Sequence, residues 1–259
     1  MSEIIQLRDV DFRYHDQDPN VIRNMNLQIP TGKVTAILGP NGTGKTTLLH
    51  LMLGLLKPDS GTVLVEDRKP DTYPRRQLAR VLGLVPQFES IPFNFTVLEY
   101  LLLGRSPYLR PFQLPGEEDF AVVEGAASAV GIDHLLEKPA AEISGGERQL
   151  VHIARVLTQQ TRVLLMDEPT AHLDLENQSK ILRLVKQLTD HEITAVFTTH
   201  DPNAAIFAAD HFILMQHGKI FEQGPLERVI TRENLFKIYR TPVRVEKTNG
   251  LTVVVMELL

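Results

Sequence analysis

Nine consecutive residues constrain this chain more than any others: Gly39, Pro40, Asn41, Gly42, Thr43, Gly44, Lys45, Thr46 and Thr47. They fit the spacing G-x-x-x-x-G-K-[ST], and their flanks decide what that spacing means. Upstream, Val34, Thr35, Ala36, Ile37 and Leu38 make an apolar, β-branched run that reads as a buried strand. Downstream, residues 47–53 are a leucine-rich stretch of strong helix formers. A plain glycine turn with an exposed lysine needs neither flank. Strand, glycine loop and helix together are the setting of a phosphate cradle. Glycines at 39, 42 and 44 let the backbone take positive φ and come close to a ligand, so that successive N–H groups wrap a phosphate. The helix that follows adds its positive dipole end and its first N–H groups. Lys45 supplies a full charge for β- and γ-phosphates, and the Thr46 hydroxyl a ligand for Mg²⁺. A nucleotide site is the expectation.

Composition removes several other classes. A chain of 259 residues, 43% hydrophobic and 23% charged, reads as globular with a sizeable core. Its net charge of −5 is the wrong sign for a nucleic-acid footprint, so no nucleic-acid partner is expected. With no cysteine there is neither a disulfide nor a thiolate metal site, which suits a reducing compartment. The first residues lack the basic and apolar regions of a signal peptide, and no run of about 18 apolar residues offers a membrane span. Any membrane role is expected to come through a partner.

Polar groups recur at the ends of apolar runs. Residues 4–14 and 21–29 read as strands, and Tyr14 closes the first. It is a strand aromatic for packing or a platform for a purine ring. Gln87 ends an apolar run that begins at Gly83, Asp167 and Glu168 end residues 163–166, and His200 follows residues 193–199. Open α/β sheets place ligands at such carboxyl ends. There Asp167 suits Mg²⁺ through water, Glu168 an attacking water, and His200 a γ-phosphate.

Ser144 and Glu147 form a capping box at the head of an apolar helix running to Leu157. Gly145 and Gly146 in the first turn weaken that helix, which argues for a second anion site on its N-terminus. Further helices are expected at 117–130, 133–138, 176–188, 201–209 and 225–239, with a hairpin around Asn249 and Gly250. Phe88, Phe93, Phe95, Tyr100, Tyr108 and Phe112 cluster within 25 residues among prolines, either as the core of a helical subdomain or as a partner contact.

The order of these parts resembles the ATP-binding subunits of ABC transporters, over about residues 3–240. GPNGTGKTT is similar to that family's phosphate loop, Gln87 to its Q-loop residue and ISGGE to its signature. VLLMDE is similar to its second nucleotide motif, the run from Ala171 to Asp174 to its D-loop, His200 to its switch histidine and Tyr14 to its adenine-stacking aromatic. The resemblance implies an α/β fold. This would be a P-loop NTPase (RecA-like) core, 1–88 and 159–240, with an antiparallel β subdomain and an inserted α-helical subdomain, 89–158. A β-hairpin extension, 241–259, would follow the ATPase domain of 1–240. It also implies ATP and Mg²⁺ as cofactors, with Thr46, Gln87 and Asp167 toward the metal. Two copies would pair head to tail, so that Ser144, Gly145, Gly146 and Glu147 of one, with Asp174, complete the ATP site on the other. Transmembrane permease subunits, and through them a periplasmic or extracellular substrate-binding protein, are the implied partners, at the cytoplasmic face of the membrane.

Thr96-Val97-Leu98-Glu99-Tyr100 followed by Leu103-Gly104-Arg105-Ser106-Pro107 is similar to the iron–siderophore, haem and cobalamin uptake group. Ile143, Glu147, Leu150 and His172 depart from the family's commonest residues. Import of free metal ions or oxyanions, and iron–sulfur cluster assembly, are the alternatives.

Overall fold

The computed structural model describes residues 3–257 apart from Phe88, Ser90, Pro92, Phe93 and Asn249. Strands β1 (Glu3–Phe12), β2 (Ile22–Pro30) and β3 (Val34–Leu38) lead through the glycine loop into α1 (Lys45–Met52). Next come β4 (Ser60–Val65), α2 (Arg75–Val81) and β5 (Leu82–Val85), then α3 (Val97–Leu102), α4 (Glu117–Val130) and α5 (Gly145–Thr158). After β6 (Val163–Met166) and α6 (Leu175–Gln187), the order is β7 (Thr194–Thr199), α7 (Pro202–Ala208), β8 (His211–Gln216) and β9 (Lys219–Gly224). Helices α8 (Leu226–Val229) and α9 (Arg232–Tyr239) and strands β10 (Val243–Thr248) and β11 (Leu251–Met256) follow. Two compact units result: Pro74–Leu184, and the described residues before and after it.

In the split unit, β3 lies between β7 and β8, parallel to both, and β9 closes on β8 as an antiparallel hairpin. All of β3 and β7 is buried. This explains why both sequences are continuous apolar or threonine runs instead of alternations. A separate antiparallel sheet, β2–β1–β4, shows the alternation expected of one buried face, with Ile22, Met25, Leu27 and Ile29 buried along β2. Leu48, Leu49, Leu51 and Met52 of α1 are fully buried; each such side chain contributes about 1.5–3 kcal/mol relative to exposure.

The expected helix at 225–239 is two helices. Thr231 sits extended between them, and its hydroxyl accepts from the Asn234 N–H to cap α9. The expected helix at 133–138 is a short 3₁₀ turn, Asp133–Leu135.

In the unit Pro74–Leu184, β5 and β6 pair in parallel, with Val85 opposite Met166. Helix α5 packs so closely on β5 that a Cβ at Gly83 would come within 2.3 Å of Val156 Cγ1. Helix α3 rises within the proline- and aromatic-rich segment, and Thr96 and Glu99 form a complete capping box at its start. The aromatic cluster divides. Tyr100 is 2% exposed and shares a 2.9 Å hydrogen bond with His152 Nδ1, so it belongs to the core and is not a partner contact. Burial pushes its hydroxyl up and the His152 imidazole down, leaving both uncharged at neutral pH. Tyr108 takes the guanidinium groups of Arg80 and Arg105 at 4.5 and 4.1 Å from its ring centre. Phe112 is fully exposed; Phe88, Pro92 and Phe93 lie outside the described residues.

Arg105, 3% exposed, joins three elements. Its Nε donates to Asp119 at 2.8 Å, and its Nη1 to the Thr158 carbonyl and Gln160 Oε1. That guanidinium and the Gly116 N–H hold the Asp119 carboxyl below its usual range. The pair therefore adds stability above the ordinary carboxylate range and loses it as pH falls through the lowered value. Beside it, a Cβ at Gly104 would lie 2.0 Å from Thr158 Oγ1, so only glycine lets these segments meet.

Candidate functional site

The phosphate loop leaves the carboxyl end of β3 under tight constraint. A Cβ on Gly39 would meet the Met215 carbonyl oxygen at 2.6 Å, so glycine is required by close approach to β8. Gly42 and Gly44 adopt φ of 79° and 96°, the left-handed region that favours glycine. Gly44 is the N-cap of α1 and provides no capping side chain, which leaves the first turn to a ligand. The Thr43 hydroxyl donates to the Pro40 carbonyl at 2.9 Å and braces the loop. Lys45 is only 6% exposed, and its ammonium donates to the carbonyls of Gly39 at 2.8 Å and Pro40 at 3.2 Å. Its charge is thus fixed inside the loop, while Asn41, Gly42 and Thr46 are exposed.

Tyr14 is 52% exposed, with its ring edge-on to Phe12 at 5.0 Å. Its hydroxyl hydrogen-bonds that of Thr47 at 2.9 Å, which ties the ring to the first turn of α1. His200 is exposed directly beyond β7. Leu38 stands opposite Thr199 in the β3–β7 register, so the loop and His200 leave the sheet at the same carboxyl edge.

The other unit repeats the arrangement on β5 and β6. The Asp167 N–H donates to the Val85 carbonyl at 2.9 Å, extending the pairing and bringing Gln87, Asp167 and Glu168 just past one edge. Asp167 is 4% exposed. Glu168 is half-buried with φ of 45°, a left-handed conformation that costs a non-glycine residue about 1–2 kcal/mol. Strain of this kind at the end of an apolar strand re-aims a side chain.

The Ser144 hydroxyl accepts from the Glu147 N–H, and Glu147 accepts from the Ser144 N–H at 2.7 Å. That second bond holds the Glu147 carboxyl below its usual range, ionised and turned to its own helix. The two glycines between them differ. A Cβ on Gly145 would meet nothing within 4 Å, whereas one on Gly146 would lie 2.3 Å from Asn177 Nδ2. Gly146 therefore lies against the Asn177 side chain, a contact that its sequence position did not disclose. Asp174 caps α6, accepting from the Asn177 N–H at 2.8 Å. A cavity of about 580 Å³ opens among Gln87, Glu89, Gly145, Arg148, His152 and His172. Glu89, His152 and Asn177 went unmarked in the sequence because no local motif contains them.

The sequence profile of the ABC transporter family matches residues 22–171, more than half of the chain. The chain belongs to the ABC transporter family. It is an ATP-binding, ATP-hydrolysing cassette, and no helix among its described residues is long and apolar enough to cross a membrane. The cassette is 38% identical over 220 residues to the ferric enterobactin transport ATP-binding protein FepC of Escherichia coli, covering 85% of this chain and 81% of that one. It is 33% identical over 244 residues to the molybdate import ATP-binding protein MolC of Haemophilus influenzae, covering 94% and 90%. Among solved structures, it superposes with a TM-score of 0.86 and 32% identity on an inward-facing ABC transporter assigned to the metal-chelate type, over 100% of this chain and 98% of the other. A dimeric cassette in a post-hydrolysis state, bound to ADP and phosphate, matches with a TM-score of 0.75 and 28% identity over 86% and 98%.

Proposed function

We propose that the cassette energises import of a metal chelate, an iron–siderophore, haem or cobalamin complex, through a separate permease at the cytoplasmic face of the membrane. What carries this reading is the full-length likeness to an assigned metal-chelate transporter together with the likeness to FepC. The MolC likeness favours a second reading, oxyanion import. Residues 1–240 form the ATPase domain, with 89–158 as its helical insertion and 241–259 as an extension. The cavity beside Gln87 suits a permease segment, and a substrate-binding protein would reach the system only through that permease.

ATP lies on the loop from Gly39 to Thr47. Lys45 holds the β- and γ-phosphates, and the Tyr14 face stacks on adenine. Thr46, Asp167 and Gln87 offer hydroxyl, carboxylate and amide oxygens, a hard donor set that fits Mg²⁺. Held by these residues, Mg²⁺ would supply positive charge against the phosphates during transfer. Glu168 accepts a proton from the attacking water, and His200 donates to the γ-phosphate. Ser144, Gly145 and Gly146 of a second copy close the site head to tail. Glu147 holds that turn in shape, and Asp174 fixes the facing loop.

Two measurements follow. The cassette reconstituted with its permease shows hydrolysis stimulated by a ferric chelate and not by molybdate; the reverse pattern establishes the oxyanion reading. Tyr14→Ala weakens ATP by about 1–3 kcal/mol, the usual contribution of a base–aromatic stack, in a fluorescent-nucleotide titration. Unchanged affinity would assign Tyr14 to packing on Phe12 alone.

A further inference from the structure

The hairpin β10–β11 has no part in the roles proposed above, yet it is fastened at two points. At one, the Asn203 side chain grips a single residue of β11 as a neighbouring strand would. Its Nδ2 donates to the Val254 carbonyl at 3.0 Å, and its Oδ1 accepts from the Val254 N–H at 2.8 Å. At the other, Glu257 accepts from Arg232 of α9 at 3.2 Å and lies 3.5 Å from Arg244 Nε, while its N–H donates to the Pro242 carbonyl at 3.0 Å.

Asn203 stands in the first turn of α7, three residues after His200. Its own N–H donates to the capping carboxylate of Asp201 at 2.8 Å, and the Asp201 N–H donates to Thr199 Oγ1 at 3.0 Å. A continuous run of hydrogen bonds therefore passes from Val254 through Asn203 and Asp201 to Thr199, and His200 is the residue it spans. Helix α7 has only seven residues, too few to be stable without neighbours. Its start is held by what it touches, and the backbone that carries His200 into that start is ordered in part by the same contacts.

We infer that the hairpin is a positioning element for His200 and that Asn203 is the positioning residue through which it acts. The inference rests on the reading of His200 as the γ-phosphate contact. The Asn203 amide is engaged on both sides by Val254; its effect is on how often His200 is correctly placed.

The test uses the full chain. Asn203→Ala removes both bonds to Val254 and leaves the Asp201 cap, which involves only the backbone of residue 203. The expected result is faster amide exchange at Val254 and along β11, and an ATP Kd within about twofold of the parent. kcat is lowered about fivefold, the scale of coupling carried through a neighbouring element. Asn203→Asp, which keeps an acceptor for the Val254 N–H, recovers part of both the protection and the rate. In a His200→Ala background, Asn203→Ala changes the residual rate by less than about twofold, because the residue it acts through is gone. A hairpin that loses protection while kcat is unchanged overturns the inference, as does a fall in kcat with protection intact. Normal turnover by His200→Ala alone would instead overturn the γ-phosphate reading, and this inference with it.

Discussion

Glu168→Gln lowers kcat about 10³-fold, the range for loss of a general base, while ATP binding stays within about twofold and the closed dimer accumulates in the presence of ATP. The argument starts from position. Glu168 follows Asp167, the last residue held by the β5–β6 pairing, and its φ of 45° turns it out of the strand direction. A glutamine has nearly the same size and takes the same backbone conformation, so the fold and the strain are conserved. What disappears is the ability to accept a proton from water. The proposed binding groups, Lys45 and the glycine loop, are elsewhere in the chain and unaltered, so affinity is expected to persist. Single-turnover hydrolysis, nucleotide titration and gel filtration with ATP report the three outcomes separately. Turnover within about tenfold of the parent chain would remove Glu168 from its assigned role and return the base to another group.

Ser144→Arg stops hydrolysis in the dimer and leaves the affinity of the monomer for ATP unchanged. Ser144 and Gly145 are exposed at the head of α5, and nothing lies within 4 Å of a Cβ on Gly145. An arginine at 144 fills the space where a partner's nucleotide is proposed to enter. It also removes the hydroxyl that accepts from the Glu147 N–H, a loss of about 1 kcal/mol of helix stability by itself. Ser144→Ala separates the two effects, since it loses the cap without adding bulk. The alanine variant is expected to hydrolyse ATP measurably and the arginine variant not at all. A monomer of Ser144→Arg that binds ATP more weakly would show that residue 144 serves its own chain's nucleotide.

Much of this was legible in the sequence because local pattern and tertiary need coincide there. The run at 34–38 is apolar throughout because β3 is covered on both faces, and Gly42 and Gly44 stand where the backbone takes positive φ. Other features depended on partners distant in sequence. Gly146 looked like an anion-binding glycine, and only the fold shows that the Asn177 side chain also lies against it. Gly104 and Arg105 supported a subfamily resemblance. In the fold they are a close helix contact with Thr158 and a buried pair with Asp119. Tyr100 could be core or contact from its composition alone, and the hydrogen bond to His152, 52 residues away, decides for core. The capping box at Thr96 was readable and went unread because prolines and aromatics nearby suggested loops. The hairpin signal around Asn249 and Gly250 fell between β10 and β11, with Asn249 itself outside the described residues.

The central claim is that each ATP site is completed by a second copy, and mixing two inactive variants tests it most directly. Lys45→Ala disables the phosphate loop, and Ser144→Arg disables the signature turn. Either alone gives a dead homodimer. In a mixed head-to-tail dimer both lesions fall on one site, and the other combines an intact loop with an intact turn. Equal mixing makes half of the dimers mixed, each with one working site, so activity returns to about a quarter of the parent rate if the sites act independently. If mixing restores nothing, while tagged copies confirm that mixed dimers form, each site draws on a single chain or requires both sites, and the shared-site account with independent sites is contradicted.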